Sequence, residues 1–305
     1  NWMKYEVLRS KDQWAALRTQ WNSLLGESRA NQLFMTWEWL DCWLRVQRSV
    51  TDLKIICVRG PGGELLGAAP FYVANCRLLD IVPYRMLRMI GDVDSGAEYQ
   101  TWIASASDED RVCSVIARAL CALRSEWDLL WIPNLESWTG AHEPMVRALG
   151  AGRLGIRSRP RDFSTVTLPA DYDAFLANMS PNRRQQVRRN TKKILSKPGV
   201  EVRKVTTDAE LAPALDALFK LHGKRWRAVG QHGVFDRNLK EREFYERFAP
   251  EALARGWLAV YTLFDGSEPR AVQIGYVYRR AFLQLQEGFD PDYSPHVGNA
   301  LRTRV

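Results

Sequence analysis

A small-residue step near the end of the chain has the chemistry of a phosphate-binding turn. The residues His296, Val297, Gly298, Asn299, Ala300 and Leu301 follow a strand-like stretch (282–287) and a turn-rich loop (288–295). Small side chains let a ligand approach the backbone closely, and the N–H groups that converge at a helix start favour an anionic phosphate. Small residues are also common in ordinary turns before a helix. The step alone therefore does not distinguish a phosphate-binding turn from an ordinary turn.

A strongly basic helix is predicted to begin at Ser180-Pro181 and to end before Pro198-Gly199. The stretch from 152 to 204 carries 13 Lys and Arg against 4 Asp and Glu, which accounts for the net charge of +8. With 3.6 residues per turn, Arg184, Arg188 and Lys192 share one face. This face is either solvated or grips the phosphates of a ligand or of RNA. No aromatic residue interrupts the run 183–197, which argues against stacking on single-stranded bases.

Four further side chains near these features could take part in chemistry. Glu287 ends the strand 282–287, and strict alternation would place it with Leu283 and Leu285 on an apolar face, where a carboxylate suits a proton acceptor. His222 lies on a predicted helix (208–227) and is either a base or a structural hydrogen-bonding group. Tyr293 precedes the small-residue step. Trp226 is either a core residue or a wall of a pocket.

The positioning elements follow from hydrophobic periodicity. One helix is expected over residues 10–25, with Trp14, Leu17 and Trp21 on one face. The remaining strands and helices are expected at 5–9, 36–47, 53–58, 64–73, 85–90, 99–103, 108–124, 128–132, 143–149, Leu154–Ser158, Ser164–Leu168, 172–179, 200–205, 239–254, 257–264 and 270–278.

Composition narrows the class of protein. The chain has 305 residues, 46% of them apolar, and contains no apolar run of the length that spans a bilayer. Its 5 cysteines lack paired metal-ligand spacing and lie mostly in apolar runs, so we read them as reduced, buried thiols. These features indicate a cytoplasmic globular protein of about two domains without a metal.

The two halves repeat the same order of elements: a strand, helices, a hairpin, a further strand and a helix. This order predicts a duplicated domain of α/β class with mixed sheets. We place the first domain at 1–169, a basic helical connector at 170–199 and the second domain at 200–305. The second domain lacks the final strands of the first and is expected to be incomplete at Val305.

Several segments in order resemble the CelD-type branch of the GNAT acyltransferase superfamily, which is related to the tandem Fem-type aminoacyltransferases. The segments are Leu33-Phe34-x-x-Trp37-Glu38-Trp39-Leu40, the Arg183-Arg184 helix, Leu221-His222-x-x-Arg225-Trp226, and Glu287-Gly288-Phe289-Asp290-Pro291-Asp292-Tyr293 leading to Gly298. The sequence departs from the family at Pro295, where a polar residue is usual, and at His296-Val297, where Ser-Pro is usual.

The resemblance implies roles for the candidate residues. Glu287 would lie beside the acyl thioester as the base, with His222 as an alternative, and Tyr293 would protonate the leaving thiolate. Residues 296–301 would hold the pyrophosphate of acetyl-CoA or a longer acyl-CoA. The Glu98-Tyr99 pair, the basic face of the helix and Trp226 would contact the acceptor. Because Asp92 and Asp94 occupy the equivalent loop of the first half, only the second half is expected to bind CoA.

The sequence therefore predicts an N-acyltransferase that moves an acyl group from acyl-CoA to an amine. The acceptor would be a small molecule, an amino sugar or a precursor of the cell envelope or of a polysaccharide. One alternative is a Fem-type enzyme whose donor is aminoacyl-tRNA, docked on the basic helix. The other is a catalytically silent binding module on the same fold.

Overall fold

The computed structural model describes residues 3–152 and 154–305 and divides into two compact units, with the boundary between Arg161 and Asp162. This boundary lies before the one predicted at residue 169. The basic segment predicted as a connector (170–199) falls within the second unit.

The first unit contains six described strands and five described α-helices. In chain order they are β1 (Lys4–Leu8), α1 (Lys11–Ala16), α2 (Arg18–Glu27), α3 (Trp37–Val46), β2 (Leu53–Arg59), β3 (Leu65–Leu78), β4 (Val82–Met89), β5 (Ile103–Ala104), α4 (Glu109–Ala122), β6 (Leu129–Trp131) and α5 (Glu143–Ala151).

The sheet of the first unit has the order β1-β2-β3-β4-β6, with β5 paired to β3. Its pairs are antiparallel except for β4 and β6, which run parallel. The parallel pair requires a crossover, and α4 lies between the two strands in the chain. The carboxyl ends of β4 and β6 therefore meet at one edge of the sheet.

Aromatic side chains fill the core of the first unit. Trp14 and Trp21 are fully buried, as the stripe over residues 10–25 predicted, and so are Trp39 and Trp43. A capping box between Ser10 and Gln13 begins α1. The single helix expected over 10–25 is wrong, since the chain forms two short helices on either side of Leu17.

The two strands expected near Leu154–Ser158 and Ser164–Leu168 are also wrong. Residues 154–169 form no helix or strand, and Ile156, Val166 and Leu168 are exposed. A strand needs a hydrogen-bonded partner and a buried face, and β-propensity alone supplies neither.

The second unit contains four strands and six α-helices among its residues, all of which are described. In chain order they are α6 (Tyr172–Ala177), α7 (Pro181–Leu195), β7 (Val200–Lys204), α8 (Asp208–Arg227), α9 (Val234–Arg237), α10 (Leu239–Ala254), β8 (Leu258–Asp265), β9 (Glu268–Tyr278), β10 (Ala281–Phe289) and α11 (Val297–Arg302).

The sheet of the second unit is antiparallel, with the order β10-β9-β8-β7. Neighbouring residues of β10 show that helices cover both faces. A Cβ on Gly288 would lie 2.4 Å from the backbone nitrogen of His222 in α8, whereas Phe289 contacts Gly298 in α11. Successive side chains of a strand point to opposite faces, so α8 and α11 pack on opposite sides of the sheet.

An apolar cluster joins α7 and α11 to the sheet. Its buried members are Ile194, Leu263, Ala271, Val297, Ala300 and Leu301. The basic helix α7 is therefore not an isolated connector, because its last turn belongs to the core of the second unit.

The predicted α/β class is confirmed, with one sheet in each unit. The sheet of the first unit is mixed, as predicted, whereas every strand pair of the second sheet is antiparallel. Among the residues that the structure describes, no helix is long and apolar enough to cross a membrane, and no group of His, Cys, Asp or Glu side chains is arranged to hold a metal ion.

Candidate functional site

Strand β10 lies at one edge of the second sheet and contains a β-bulge. Gln284 pairs with Gly275 and Gln286 pairs with Ile274, so Leu285 is an extra residue between two consecutive pairs. A bulge leaves its extra residue outside the ladder and reverses the facing of the residues that follow.

The bulge overturns the predicted orientation of Glu287. Glu287 pairs with Gln273, which shares its face of β9 with Gly275, so Glu287 lies on the same face as Gln284. The prediction that it points with Leu283 and Leu285 on an apolar face is wrong. Strict alternation holds only for an unbroken ladder, and one inserted residue exchanges the two faces.

Two arginines hold the carboxylate of Glu287. Arg225 of α8 donates from Nη1 to Oε1 at 2.7 Å, and Arg302 of α11 donates from Nε to Oε2 at 2.9 Å. Gln284 also donates from Nε2 to Oε2 at 3.3 Å. The carboxylate is only 12% exposed, so it is a largely buried acid with both oxygens engaged. Its role as a base stays a prediction.

His222 belongs to α8, and its backbone lies directly against Gly288 of β10. The indole N–H of Trp226 donates to its Nε2 at 3.0 Å, and the ring is buried. Burial lowers the pKa of His222, and the nearby charge of Arg225 lowers it further, so the ring is neutral near pH 7. The ring of His222 lies beside Phe235 of α9, with centroids 4.8 Å apart, and Trp226 lies beside it; neither residue lines the groove described below.

The loop from Asp290 to Pro295 is anchored by a buried carboxylate that the sequence analysis did not select. Asp290 accepts hydrogen bonds from Lys224 Nζ, from Arg270 Nη1 at 3.0 Å and from the backbone N–H of Asp292 at 3.1 Å. Burial raises the pKa of Asp290, but the hydrogen bonds and the charge of Lys224 outweigh it and leave the pKa below its ordinary value. Within the run Asp290-Pro291-Asp292 the acid has no local signal that distinguishes it from an ordinary turn residue.

Tyr293 lies in this loop between two cations. Its hydroxyl accepts a hydrogen bond from Lys197 Nζ at 3.3 Å. The same ammonium lies 4.3 Å from the ring centroid, and the guanidinium of Arg270 lies 5.1 Å from it. Its ring packs on the apolar cluster that joins α7 and α11. The phenol is therefore held in a positively charged environment.

A groove runs between α7 and the start of α11, and we call it the α7–α11 groove. It is lined by Arg183, Gln186, Val187, Asn190, Thr191, His296 and Asn299. These side chains include one arginine and several hydrogen-bonding groups, and no carboxylate. Such a lining suits an anion.

The structure separates the six residues predicted to hold the cofactor. His296 and Asn299 line the α7–α11 groove, whereas Val297, Ala300 and Leu301 are buried in the core. A Cβ on Gly298 would lie 3.0 Å from Cδ1 of Phe289. A glycine is therefore favoured at position 298 because α11 packs closely on β10. The absence of a side chain there does not enlarge the groove.

The basic side chains predicted to share one face of α7 are not part of the groove. Arg184, Arg188 and Lys192 are absent from its lining, and Arg188 pairs with Asp173 at 2.9 Å. Arg183 supplies the cation of the groove instead. The i, i+4, i+8 pattern identified a basic face, but the packing of α7 decides which face meets α11.

Glu98 and Tyr99 belong to the first unit. Tyr99 has a left-handed backbone, with φ of 59°, and its N–H donates to the carbonyl of Asn134 at 2.9 Å. Burial raises the pKa of Tyr99, as does its hydrogen bond to Glu98, so the phenol stays protonated at all physiological pH values.

The acids of the equivalent loop in the first unit are already paired. Asp92 accepts hydrogen bonds from Arg88 at 2.7 Å and from the hydroxyl of Tyr72 at 3.1 Å, and Asp94 accepts one from Gln47 at 2.6 Å. The loop is therefore filled by its own carboxylates and their partners. That only the second half binds CoA remains a prediction.

Comparison with known proteins identifies the class of the second unit. Residues 181–305 match the family of acetyltransferase (GNAT) domains. The matched part of the chain contains every element from α7 to α11. The superfamily prediction is confirmed for it, and the CelD-type branch stays a prediction.

Two solved structures are similar to the chain. One is a tandem GNAT protein from the clavulanic acid biosynthesis pathway, without acetyl-CoA, with 13% identity and a TM-score of 0.45, covering 99% of this chain and 84% of that chain. The other is a GCN5-related glucosamine N-acetyltransferase region of a fungal multi-domain GH3 β-N-acetylglucosaminidase, with 10% identity and a TM-score of 0.24, covering 91% of this chain and 28% of that chain. No curated protein matches the chain.

Proposed function

We propose that the second unit binds an acyl-CoA in the α7–α11 groove and that the protein transfers its acyl group to an amine. The acceptor would be an amino sugar or a precursor of the cell envelope or of a polysaccharide. The observation that carries the proposal is the carboxylate-free groove at the start of α11, inside the part of the chain that matches the GNAT domain family. GNAT domains generally use acetyl-CoA.

The α7–α11 groove offers two kinds of contact to a pyrophosphate. Arg183 supplies a charged donor, and Asn190, Thr191 and Asn299 supply neutral hydrogen-bonding groups. Charge-assisted hydrogen bonds to phosphate oxygens are the strongest of these contacts.

The acyl end of the ligand would lie along the bulged edge of β10. Because Leu285 stands outside the ladder, backbone groups there are available to a ligand. An N–H aimed at the thioester carbonyl would stabilise the negative charge that develops on its oxygen. Much of the rate would come from positioning the thioester against the amine.

Proton transfer would complete the reaction. The amine nitrogen attacks the carbonyl carbon, the bond to sulfur breaks, and CoA leaves as a thiolate. Glu287 would take the proton of the amine, and Tyr293 would protonate the thiolate. The cations beside Tyr293, Lys197 and Arg270, would attract the leaving thiolate.

Calorimetry of the intact chain with acetyl-CoA, longer acyl-CoAs, CoA and tRNA tests the proposal. Binding of an acyl-CoA, weakened about tenfold by Arg183→Gln, would support it, since loss of one charged phosphate contact costs about 1.4 kcal/mol. The matched control changes Arg184, Arg188 and Lys192 to Gln, which lie on the same helix outside the groove.

The outcomes separate the alternatives. A larger loss in the triple variant than in Arg183→Gln would contradict the groove. Binding of tRNA without any CoA ester would favour the aminoacyl-tRNA-dependent enzyme. Binding of neither ligand would favour the silent binding module.

A further inference from the structure

The first unit displays an exposed aromatic surface at one edge of its sheet. The loops 90–102 and 132–142 follow the parallel strands β4 and β6, so both start at the same sheet edge. The N–H of Tyr99 donates to the carbonyl of Asn134 at 2.9 Å and ties the two loops together. Crevices at the carboxyl ends of neighbouring parallel strands are common ligand sites.

Trp138 and Tyr99 form the surface. Their ring centroids lie 4.9 Å apart at an interplanar angle of 75°, and Phe34 lies behind Tyr99 with centroids 6.0 Å apart. Trp138 is 54% exposed, which is unusual for the largest apolar side chain. The edge-to-face arrangement fixes the ring planes and leaves indole surface open to solvent.

The loop that carries Trp138 is rigidly built. The buried carboxylate of Glu136 accepts hydrogen bonds from the hydroxyl and, at 2.9 Å, from the backbone N–H of Thr139. Arg29 donates to the carbonyl of Thr139 at 3.1 Å. An exposed tryptophan on a pinned loop loses little conformational entropy when a ligand stacks on it.

The backbone beside the surface is strained on both loops. Tyr99 and Asn134 have φ values of 59° and 53°, in the left-handed region that side chains other than glycine rarely adopt. Such residues persist only where the surrounding structure enforces them, and they concentrate at ligand sites.

A carboxylate adjoins the aromatic surface. Glu98 is half-buried and hydrogen-bonds to the phenol of Tyr99. An ionised carboxylate accepts hydrogen bonds from hydroxyl or ammonium groups and repels phosphates.

We propose that Trp138, Tyr99 and Glu98 form a carbohydrate-binding site for a pyranose ring. The flat C–H face of the sugar would stack on the indole of Trp138, and the Glu98 carboxylate would accept hydrogen bonds from ring hydroxyl or amino groups. Sugar binding at this surface would be a property of the first unit in addition to the proposed acyl transfer.

Saturation-transfer NMR and titration of the intact chain with glucosamine and glucose, without any CoA, test the site. Sorbitol is the control ligand, because it carries hydroxyl groups but no ring face. Trp138→Ala should weaken glucosamine binding at least tenfold, and Trp138→Phe should retain much of it. Glu98→Gln should weaken glucosamine more than glucose, because only glucosamine carries an ammonium group.

The matched control is Trp131→Ala, which removes an equally exposed tryptophan of the first unit from β6. Equal effects of the two tryptophan variants, equal saturation of sorbitol and glucosamine, or tighter binding of adenosine than of any sugar would overturn the proposal. Sugar binding in a chain that transfers no acyl group would contradict the proposed function alone. Acyl transfer by a chain whose glucosamine affinity is unchanged in Trp138→Ala would contradict this site alone.

Discussion

Asp290, whose carboxylate anchors the loop before α11, offers the most direct test of the contacts that hold the second unit together. Asp290→Asn keeps the shape of the side chain but removes its charge, so Lys224 and Arg270 lose the buried carboxylate that they share, and Lys224 keeps its pair with the exposed Asp292. Breaking a fully buried ion pair costs about 3–5 kcal/mol. The side chains of Lys224 and Arg270 are about a third exposed and can recover hydration, so we expect about 2–3 kcal/mol.

Hydrogen exchange of backbone amides in residues 289–297 measures this effect locally. A loss of about 2–3 kcal/mol in the free energy of opening corresponds to exchange about 30- to 150-fold faster. Asp292→Asn is the matched control, because its carboxylate is 82% exposed and pairs with the same Lys224 at 3.0 Å. An exposed pair contributes about 0–1 kcal/mol, so that variant should exchange almost as the wild type does.

The pH dependence carries a defined sign. The pKa of Asp290 is lower in the folded chain than its ordinary value of about 3.9, so its stabilising effect is complete above that pH. It is lost as the pH falls through the folded pKa. The difference between wild type and Asp290→Asn should therefore be constant from pH 5 to 8 and shrink below about pH 4. Equal exchange rates in Asp290→Asn and Asp292→Asn at pH 7 would refute the reasoning.

Three further substitutions test other contacts of the second unit. Gly288→Ala should destabilise it by more than about 2 kcal/mol in urea unfolding, because the new methyl group meets the α8 backbone; a midpoint shift no larger than that of an exposed substitution would contradict the close approach. Gly298→Val should lower the thermal midpoint even without a ligand, since the side chain meets Phe289; loss of acyl-CoA binding at unchanged stability would instead place the effect in the groove. Glu287→Gln should slow acyl transfer about a hundredfold with acyl-CoA affinity nearly unchanged. The control Arg302→Gln removes one ion pair of Glu287 and leaves the base in place. Equal losses of kcat in the two variants would make Glu287 a structural residue.

Local sequence signals predicted the long helices of the second unit well. The bounds of α8 and α10 match those expected, and α8 begins with a capping box between Thr207 and Glu210. These features depend on residues within one or two turns of each other. Periodicity and capping are therefore sufficient to locate them.

The face of β10 on which Glu287 lies could not be predicted, because a bulge depends on how two strands pair. Nothing in the sequence around Leu285 distinguishes an extra residue from an ordinary strand position. The same limit applies to α7, where the sequence shows that the helix is basic but not that Arg183 faces α11. Both features are set by contacts between distant segments.

The anchor Asp290 was missed for a related reason. Its two cationic partners lie 66 and 20 residues away in the sequence, on α8 and β9. An acid in the run Asp290-Pro291-Asp292 reads as an ordinary turn residue, since turns favour Asp and Pro. Only the fold shows that the first of the two acids is buried and the second is exposed.

The backbone contact at Gly288 has a consequence for how a ligand would enter the second unit. With no side chain between them, α8 and β10 cannot move apart or slide without breaking contact, and Lys224 of α8 also holds the loop through Asp290. The strand, the helix and the loop thus form one preorganised frame. We therefore expect the frame to bind its ligand by lock-and-key, with little ordering entropy lost and nearly the same backbone before and after binding.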